Sequence, residues 1–220
     1  MINRPCRVVG CCASASSRYS IYCNTHKARL RRHGAIDQQA ITKADLNPYL
    51  GLVQARIDKN KDNPLWSQLA ARLSTLADHA KGLFAYRGAM PRHERIAAQE
   101  LLKLTNSVPH QEIIMVTLAL FMMLELEPRR FRSDRAFRTQ LIRRVRGLTD
   151  LNAGSWFDYE TGKTKRAYRE LSPRAAAVMG QWLAAAFGGA GLHLAKLEQI
   201  EADRKQQEQR ALHASLSQLT

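Results

Sequence analysis

The sequence predicts a mainly α-helical protein with a small cysteine-rich module at its N-terminus and one β-hairpin. Apolar residues recur at helical spacing over much of residues 47–190, which indicates a helical domain. All four cysteines lie within the first 23 residues and mark residues 1–46 as a separate module. Residues 155–171 depart from the helical pattern, because aromatic and β-forming residues flank a Thr-Gly turn dipeptide.

The composition indicates a folded protein that binds a polyanion. The chain has 220 residues, is 45% hydrophobic and carries a net charge of +15. Residues 1–46 carry 8 basic and 2 acidic side chains, net +6, and residues 128–175 carry 13 and 5, net +8. Residues 47–127 (9 and 8) and 176–220 (4 and 4) are nearly balanced. Two basic surfaces are therefore expected, and a nucleic acid is the natural partner.

No membrane partner is expected. The N-terminus has no apolar core of a signal peptide before its cysteines. The longest apolar run, Ile113–Leu124, has 12 residues and is too short to span a bilayer. No basic segment also carries a broad, bulky apolar face for lipid. We therefore expect a cytoplasmic protein.

The N-terminal cysteines have the spacing of a zinc site. Cys6, Cys11, Cys23 and His26 form the pattern C-x4-C-x11-C-x2-H. Two short-spaced pairs can supply the four sulfur and nitrogen ligands that Zn²⁺ takes in structural sites. A disulfide is less favourable, because cytoplasmic thiols stay reduced. Cys12 remains an alternative to Cys11 as the second ligand.

The segment CRVVGC…YCNTHKARLRRHG resembles the small zinc-knuckle module of phage and mobile-element proteins. That module often accompanies HNH endonucleases or other DNA-binding parts. The resemblance covers about residues 4–35, and we find no HNH ββα signature in the remainder. It implies zinc ligands at the four positions above and a basic tail after them. The tail comprises Arg29, Arg31, Arg32 and Gly34.

The apolar pattern places several helices before the second basic block. A short helix is expected over 26–33, followed by a link over 34–48 that ends at Asn47-Pro48. Asn63-Pro64 marks a helix start within a helical stretch over 49–86, because Asn caps well and Pro suits the first helical position. Two more helices are expected over 91–106 and 109–127. The last of them is apolar nearly all round, which indicates a central helix.

An arginine-rich segment, Pro128–Gly147, follows with eight arginines. Ser133 is expected to cap a helix, here called the arginine helix. Its apolar stripe comprises Phe137, Leu141, Val145 and Leu148. Its opposite face comprises Arg135, Thr139, Arg143 and Arg146. We expect this face to lie on a nucleic acid, since guanidinium groups make paired hydrogen bonds to phosphate and guanine; a solvated basic face or an acidic protein partner is the alternative.

The hairpin is expected to have strands near 155–160 and 163–170 around Thr161-Gly162. Its basic residues are Lys163, Lys165, Arg166 and Arg169. Three helices followed by a basic hairpin resemble the order of a winged helix, in which the third helix enters the major groove. The arginine helix is the third helix of that scheme.

The C-terminal region is expected to form two helices. Ser172-Pro173 begins one, and the glycines at 188, 189 and 191 are expected to end it. A polar helix then covers most of residues 191–220, a third segment that could contact a protein partner. Its apolar stripe is too short for a coiled coil.

We expect a zinc-containing, double-stranded-DNA-binding protein, an accessory or regulatory factor of a phage or mobile element. Nucleotide-binding and hydrolase motifs are absent, so we expect no enzyme. A degenerate metal-dependent nuclease using Asp150, Asp158 and Glu160, and a helical adaptor for RNA or an acidic protein, are the alternatives. The expected nucleic-acid contacts are Arg29, Arg31, Arg32, Arg129, Arg130, Arg132, Arg135, Thr139, Arg143, Arg146, Lys163, Lys165, Arg166 and Arg169.

Overall fold

The computed structural model describes residues 4–217, without the side chains of residues 166, 167, 216 and 217. The described chain is mainly α-helical with one antiparallel hairpin, as predicted. The α-helices are α1 Asn24–His33, α2 Lys43–Lys59, α3 Pro64–Ala85, α4 Arg92–Ser107, α5 His110–Leu126, α6 Asp134–Arg146 and α7 Pro173–Ser217. The strands are β1 Ala153–Asp158 and β2 Lys163–Tyr168, and short 3-10 turns cover Pro128–Arg130 and Asp150–Asn152.

Helix α5 is the centre of the core, as its apolar residues predict. It packs against α2, α3, α6 and α7, and its residues 116–123 are buried without interruption. Thr117 is the polar residue in that run, and its hydroxyl donates to the backbone oxygen of Ile113 at 2.7 Å. The helix therefore contributes apolar surface in every direction without leaving this hydroxyl unsatisfied.

The predicted start at Asn63 is confirmed, and the predicted link over 34–48 is partly wrong. The Asn63 side chain accepts from the backbone N–H of Leu65 at 2.9 Å. Helix α2, however, begins five residues before Pro48, because Thr42 and Asp45 form a reciprocal capping box. Pro48 lies inside α2 on its exposed side. The capping box stabilises the start of the helix, and this outweighs the one backbone N–H that Pro48 lacks.

Helix α7 runs without a break through the glycines that were expected to end it. Gly188 and Gly191 are buried where α7 crosses α5. A Cβ atom at Gly191 would lie 2.4 Å from the Cβ of Phe121, and one at Gly188 would lie 3.3 Å from the Phe121 ring. These glycines allow two helices to approach closely. The predicted break was wrong because the sequence does not show which helix packs there.

By length and composition, α7 is the one described helix that could cross a membrane by itself, and the bent pair α4–α5 passes the same test together. In α7, 44% of the apolar window is buried within the protein. Its buried residues include Leu183 and Phe187, which belong to the same core as α5. A core helix passes this test as readily as a membrane span does.

Helix α1 is joined tightly to α6. Gly34 adopts a left-handed conformation, with φ of 86°, directly after α1. A Cβ atom there would lie 2.7 Å from the Cα of Ala136 and 2.8 Å from the backbone oxygen of Arg135. Two buried glutamines reinforce the contact. Gln38 binds the backbone of residues 130 and 132, and Gln140 accepts from the backbone N–H of Ile41 at 3.1 Å.

The segment boundaries expected after residues 46 and 190 both fall inside helices. The first lies within α2 and the second within α7. Ile41 and Leu46 also belong to the same hydrophobic core as α5. The N-terminal residues and the helical domain are therefore packed together.

The hairpin forms as predicted, with Asp158 opposite Lys163 at the turn. Gly162 has a φ of 63°, which suits a residue without a Cβ atom. Trp156, Phe157 and Tyr159 are 52%, 48% and 90% exposed. Aromatic side chains therefore stand in solvent beside the hairpin lysine Lys163.

We predict that Gly34→Ala destabilises the protein strongly. The substitution combines left-handed backbone strain, about 1–2 kcal/mol, with a backbone clash that adds about 1–3 kcal/mol. Gly162→Ala is the matched control, since its φ is also positive but nothing lies within 4 Å of the added Cβ. Urea unfolding should show a clearly larger loss for Gly34→Ala, and equal losses would contradict the close α1–α6 contact.

Candidate metal centre and basic surface

Four side chains converge near the N-terminus in the pattern expected of a metal site. Ligand atoms of Cys6, Cys11, Cys23 and His26 all lie within 4.8 Å of one another. The Nδ1 atom of His26 is 3.4 Å from the Cys6 Sγ and 3.3 Å from the Cys23 Sγ. The Sγ atoms of Cys11 and Cys23 are 4.0 Å apart. The four residues are therefore close enough to hold one metal ion.

Local backbone structure brings these ligands together. Residues 5 and 14 form a β-bridge that closes the loop carrying Cys6 and Cys11. Gly10, with a φ of 78°, lies in the turn in which the N–H of Cys11 donates to the backbone oxygen of Val8. Cys23 is the N-cap of α1, and its sulfur accepts from the N–H of His26. The helix thus places His26 directly above its capping cysteine.

Cys12 does not belong to this group. It is exposed, whereas Cys6 and Cys23 are buried and Cys11 is half-buried. The alternative left open by the sequence is thereby decided in favour of Cys11.

The pKa values of the Cys6 and Cys11 thiols are shifted in opposite directions. Burial raises the pKa of the Cys6 thiol, but hydrogen bonds from the backbone of Cys23 and Val8 and from the side chains of His26 and Cys11 outweigh burial and lower the pKa to about 6. The backbone of Ala13 lowers the pKa of Cys11, yet burial and the neighbouring sulfurs outweigh it and raise that pKa. The Cys6 thiol therefore ionises more readily than the Cys11 thiol.

The basic residues after the metal ligands lie on α1. Arg29 and Arg31 are exposed, and neither forms a salt bridge within the described chain. Arg32 is 58% exposed and lies 3.6 Å from Glu170. The predicted tail therefore presents two exposed arginines without an acidic partner beside the metal ligands.

The predicted exposed face of the arginine helix α6 is largely wrong. Its apolar stripe is buried, as predicted at Phe137, Leu141 and Val145. Arg146, expected on the exposed face, is only 3% exposed. Thr139 lies against Gly34, and its hydroxyl donates to the backbone oxygen of Arg135. The end of α1 covers Thr139, and α4 together with the base of the hairpin covers Arg146.

Arg146 is instead the centre of a buried polar network. Its guanidinium lies 2.8 Å from the Glu100 carboxylate and donates to Asn152 and to the backbone oxygen of Arg169. It also lies over the ring of Tyr168. Burial raises the pKa of Glu100, but Lys103 and Arg146 outweigh it and hold that pKa below its usual value. This network ties α4, α6 and the base of the hairpin together.

Arg143, like Arg146, has a structural role. Its guanidinium pairs with Glu170 at 2.5 Å and donates to the backbone oxygen of Arg32 at 3.2 Å. Glu170 therefore binds arginines from both α1 and α6. Helix α6 packs against α1, α5 and α7, so it does not protrude from the described structure as the third helix of a winged helix does.

Of the arginines before and at the start of α6, some pair with acidic residues and others are exposed. Arg130 lies 2.6 Å from Asp45, and Arg132 lies 3.1 Å from Asp37. Arg129 and Arg135 are exposed and form no salt bridge within residues 4–217. Only part of this segment is therefore available for an external anion.

The hairpin cations are similarly divided. Lys165 pairs with Asp158, which also accepts from Thr161. The Lys165 contact is the largest cause that lowers the pKa of Asp158. Lys163 and Arg169 are exposed, and the Arg166 side chain lies outside the described residues. Asp158 is engaged as an intramolecular partner and does not form a three-residue metal group with Asp150 and Glu160.

Two further basic residues were missed by the sequence analysis. Arg92 and Arg174 are exposed at the starts of α4 and α7. Each follows a proline, at Pro91 and Pro173, and Pro-Arg at a predicted helix start was the available signal. Nothing in the sequence indicated that the two helix starts meet.

Comparisons of the chain with protein-family models, with curated proteins and with solved structures find no match. The likeness to zinc-knuckle modules therefore rests on the motif in residues 4–35.

We predict that Arg146→Ala lowers stability by roughly 1–3 kcal/mol, because it removes the buried donor to Asn152 and to the backbone oxygen of Arg169 and leaves Glu100 paired with Lys103 alone. Arg129→Ala is the control, since that exposed side chain has no salt bridge within the described chain, and it should change stability by less than about 0.5 kcal/mol. Urea unfolding of both variants measures the difference. A small loss for Arg146→Ala would refute a structural role for this arginine.

Proposed function

We propose that this is a zinc-containing protein that binds double-stranded DNA through α1 and the β-hairpin. The observation that supports this most is the placement of Arg29 and Arg31. They are exposed and unpaired within the described chain, and they lie on the helix that begins at the metal ligand set. Several other arginines of the basic blocks are engaged in salt bridges.

Zinc is the metal that best suits the ligands. Three sulfurs and one imidazole nitrogen match structural zinc sites, whereas Ca²⁺ and Mg²⁺ prefer oxygen. A tetrahedron with Zn–S near 2.3 Å and Zn–N near 2.0 Å has edges of roughly 3.5–3.8 Å. The Cys11–Cys23 separation of 4.0 Å and the Cys23–His26 separation of 3.3 Å bracket these values. Zinc bound there would hold the loop to the start of α1.

The positions of α1 and the hairpin favour one continuous binding surface. Glu170, two residues after β2, pairs with Arg32 of α1 and with Arg143 of α6. The C-terminal end of α1 therefore lies near the base of the hairpin. Arg29 and Arg31 supply phosphate contacts, and Lys163 with Tyr159 extends the surface along the hairpin. Catalysis is not part of this proposal, because Asp158 is engaged by Lys165 and Thr161 and Glu170 by Arg32 and Arg143.

An origin as an accessory or regulatory factor of a phage or mobile element is the biological setting that the motif resemblance implies, and a cytoplasmic location fits it. An adaptor role is a second candidate, favoured by the exposed C-terminal part of α7. Residues 202–215 are exposed throughout and form a helical surface that a protein partner can bind.

For the metal we predict one Zn²⁺ per chain in the purified protein. Cys23→Ser should lose the metal and the order of the N-terminal loop, because zinc binding supplies its folding energy. Cys12→Ser is the matched control and should keep the metal. Elemental analysis measures the stoichiometry. A metal-free protein with an ordered N-terminus would contradict zinc, and equal loss in Cys12→Ser would contradict the ligand set.

For DNA we predict that Arg29→Ala/Arg31→Ala weakens binding to a 20-base-pair duplex and lowers the slope of log K against log salt by about two, one per lost phosphate contact. Arg87→Ala/Arg210→Ala removes the same charge outside the two basic blocks and serves as control. Fluorescence anisotropy at several salt concentrations, with RNA as a parallel ligand, measures both.

Equal effects of the two double variants would argue against α1 as the contact surface. Stronger binding to RNA would favour the adaptor. Cleavage of DNA with added Mg²⁺ or Mn²⁺, abolished by one acidic or histidine substitution, would establish the nuclease alternative instead.

A further inference from the structure

An open groove of about 630 Å³ lies where three helices meet. Arg92 and His93 border it from the first turn of α4, and Arg135 borders it from α6. Ser172 and Arg174 border it at the start of α7. Segments far apart in sequence thus bring three arginines and one histidine to a single concave surface.

Among the described residues, none of those that line the groove is acidic. Its remaining wall is formed by Ile96 and Pro173. The three arginines form no salt bridge within the described chain, although Arg143 and Arg146 elsewhere are each paired with glutamate. Like charges gathered without counter-charges repel one another, and an anion bound among them removes that repulsion.

Backbone groups add to the positive potential. Helix α4 has no side-chain N-cap, because Pro91 precedes it. The first N–H groups of α4, at Arg92 and His93, are left without intrahelical acceptors, as in every α-helix. The start of α7 borders the same groove, so the positive ends of two helix dipoles lie beside it.

The hydroxyl of Ser172 is suitably placed to donate. Its oxygen accepts from the backbone N–H of Ala175 at 3.3 Å. The hydroxyl proton remains available to an oxygen of a bound anion. Guanidinium forks, a hydroxyl and helix N–H groups together are donors without a matching acceptor, which is the chemistry of a phosphate site.

We propose that this groove binds phosphate, and that the phosphate belongs to the backbone of the bound nucleic acid. The second part rests on the proposed function. The groove adjoins the α1 surface, because the backbone of Arg135 lies against Gly34 at the end of α1. Glu170, close in sequence to Ser172, also pairs with Arg32 of α1. A duplex lying on α1 would thereby extend over the groove.

The test compares two double variants with equal charge loss. Arg92→Ala/Arg174→Ala removes one arginine from each helix start. Arg95→Ala/Arg210→Ala removes exposed arginines from the same two helices, α4 and α7, but outside the groove. Isothermal titration with inorganic pyrophosphate and anisotropy with the 20-base-pair duplex are measured for the full chain. Thermal unfolding confirms that each variant is folded.

The groove variant should lose pyrophosphate binding, bind duplex at least tenfold more weakly at low salt, and show a salt slope smaller by about two. It should unfold at an equal or higher temperature, because repulsion is relieved. The control should keep pyrophosphate binding and change duplex affinity far less.

The other outcomes separate the two proposals. Loss of pyrophosphate binding with unchanged duplex affinity would support the phosphate site and assign it to a soluble phosphate compound. Pyrophosphate binding through the groove by a protein that binds no DNA would sustain the groove and overturn the proposed function. Unchanged binding of both ligands by the groove variant would overturn the phosphate site.

Discussion

The contact of Gly34 with α6 is the constraint on which the arrangement of basic surfaces depends. No side chain fits at that position, because the backbone of α6 occupies the space a Cβ atom would need. The close approach places the end of α1 over residues 135–139 and brings Arg32 to Glu170. This contact therefore partly buries the basic face of α6 and fixes the position of the basic residues on α1. A metal centre at the start of α1 would be held to the core through the same contact.

Arginine has at least two uses in this chain, and sequence patterning does not separate them. Arg146 lies within a buried network, where its three guanidinium nitrogens donate to a carboxylate, an amide oxygen and a backbone oxygen. Arg135 lies in solvent eleven residues earlier on the same helix. Helical periodicity placed both on one polar face, because periodicity records the spacing of residues and not the position of neighbouring elements. Arg146 is buried because it pairs with Glu100, which belongs to α4 and lies far away in the sequence.

The same reasoning explains which elements could be predicted. Helix α5 was predictable because its own residues are apolar on all sides, and the start of α3 because Asn63 caps locally. The cluster of three cysteines and His26 was predictable because the spacing of these residues is itself the signal, and only the choice between Cys11 and Cys12 needed three dimensions. The continuity of α7 was not predictable, since the role of Gly191 depends on Phe121 of another helix. The groove of Arg92 and Arg174 likewise exists only after folding.

The unbroken course of α7 has a consequence for whatever contacts its distal half. A 45-residue helix is about 68 Å long at 1.5 Å per residue, and one residue corresponds to a rotation of roughly 100°. Its first half is anchored in the core, so a partner attached near residue 210 is held at a defined distance and angular phase. One inserted residue would turn that partner to a different side, whereas seven would shift it by about 10 Å and nearly restore its orientation. A partner bound there would therefore have both its distance from the core and its orientation fixed by the helix, which a flexible tether of equal length cannot do.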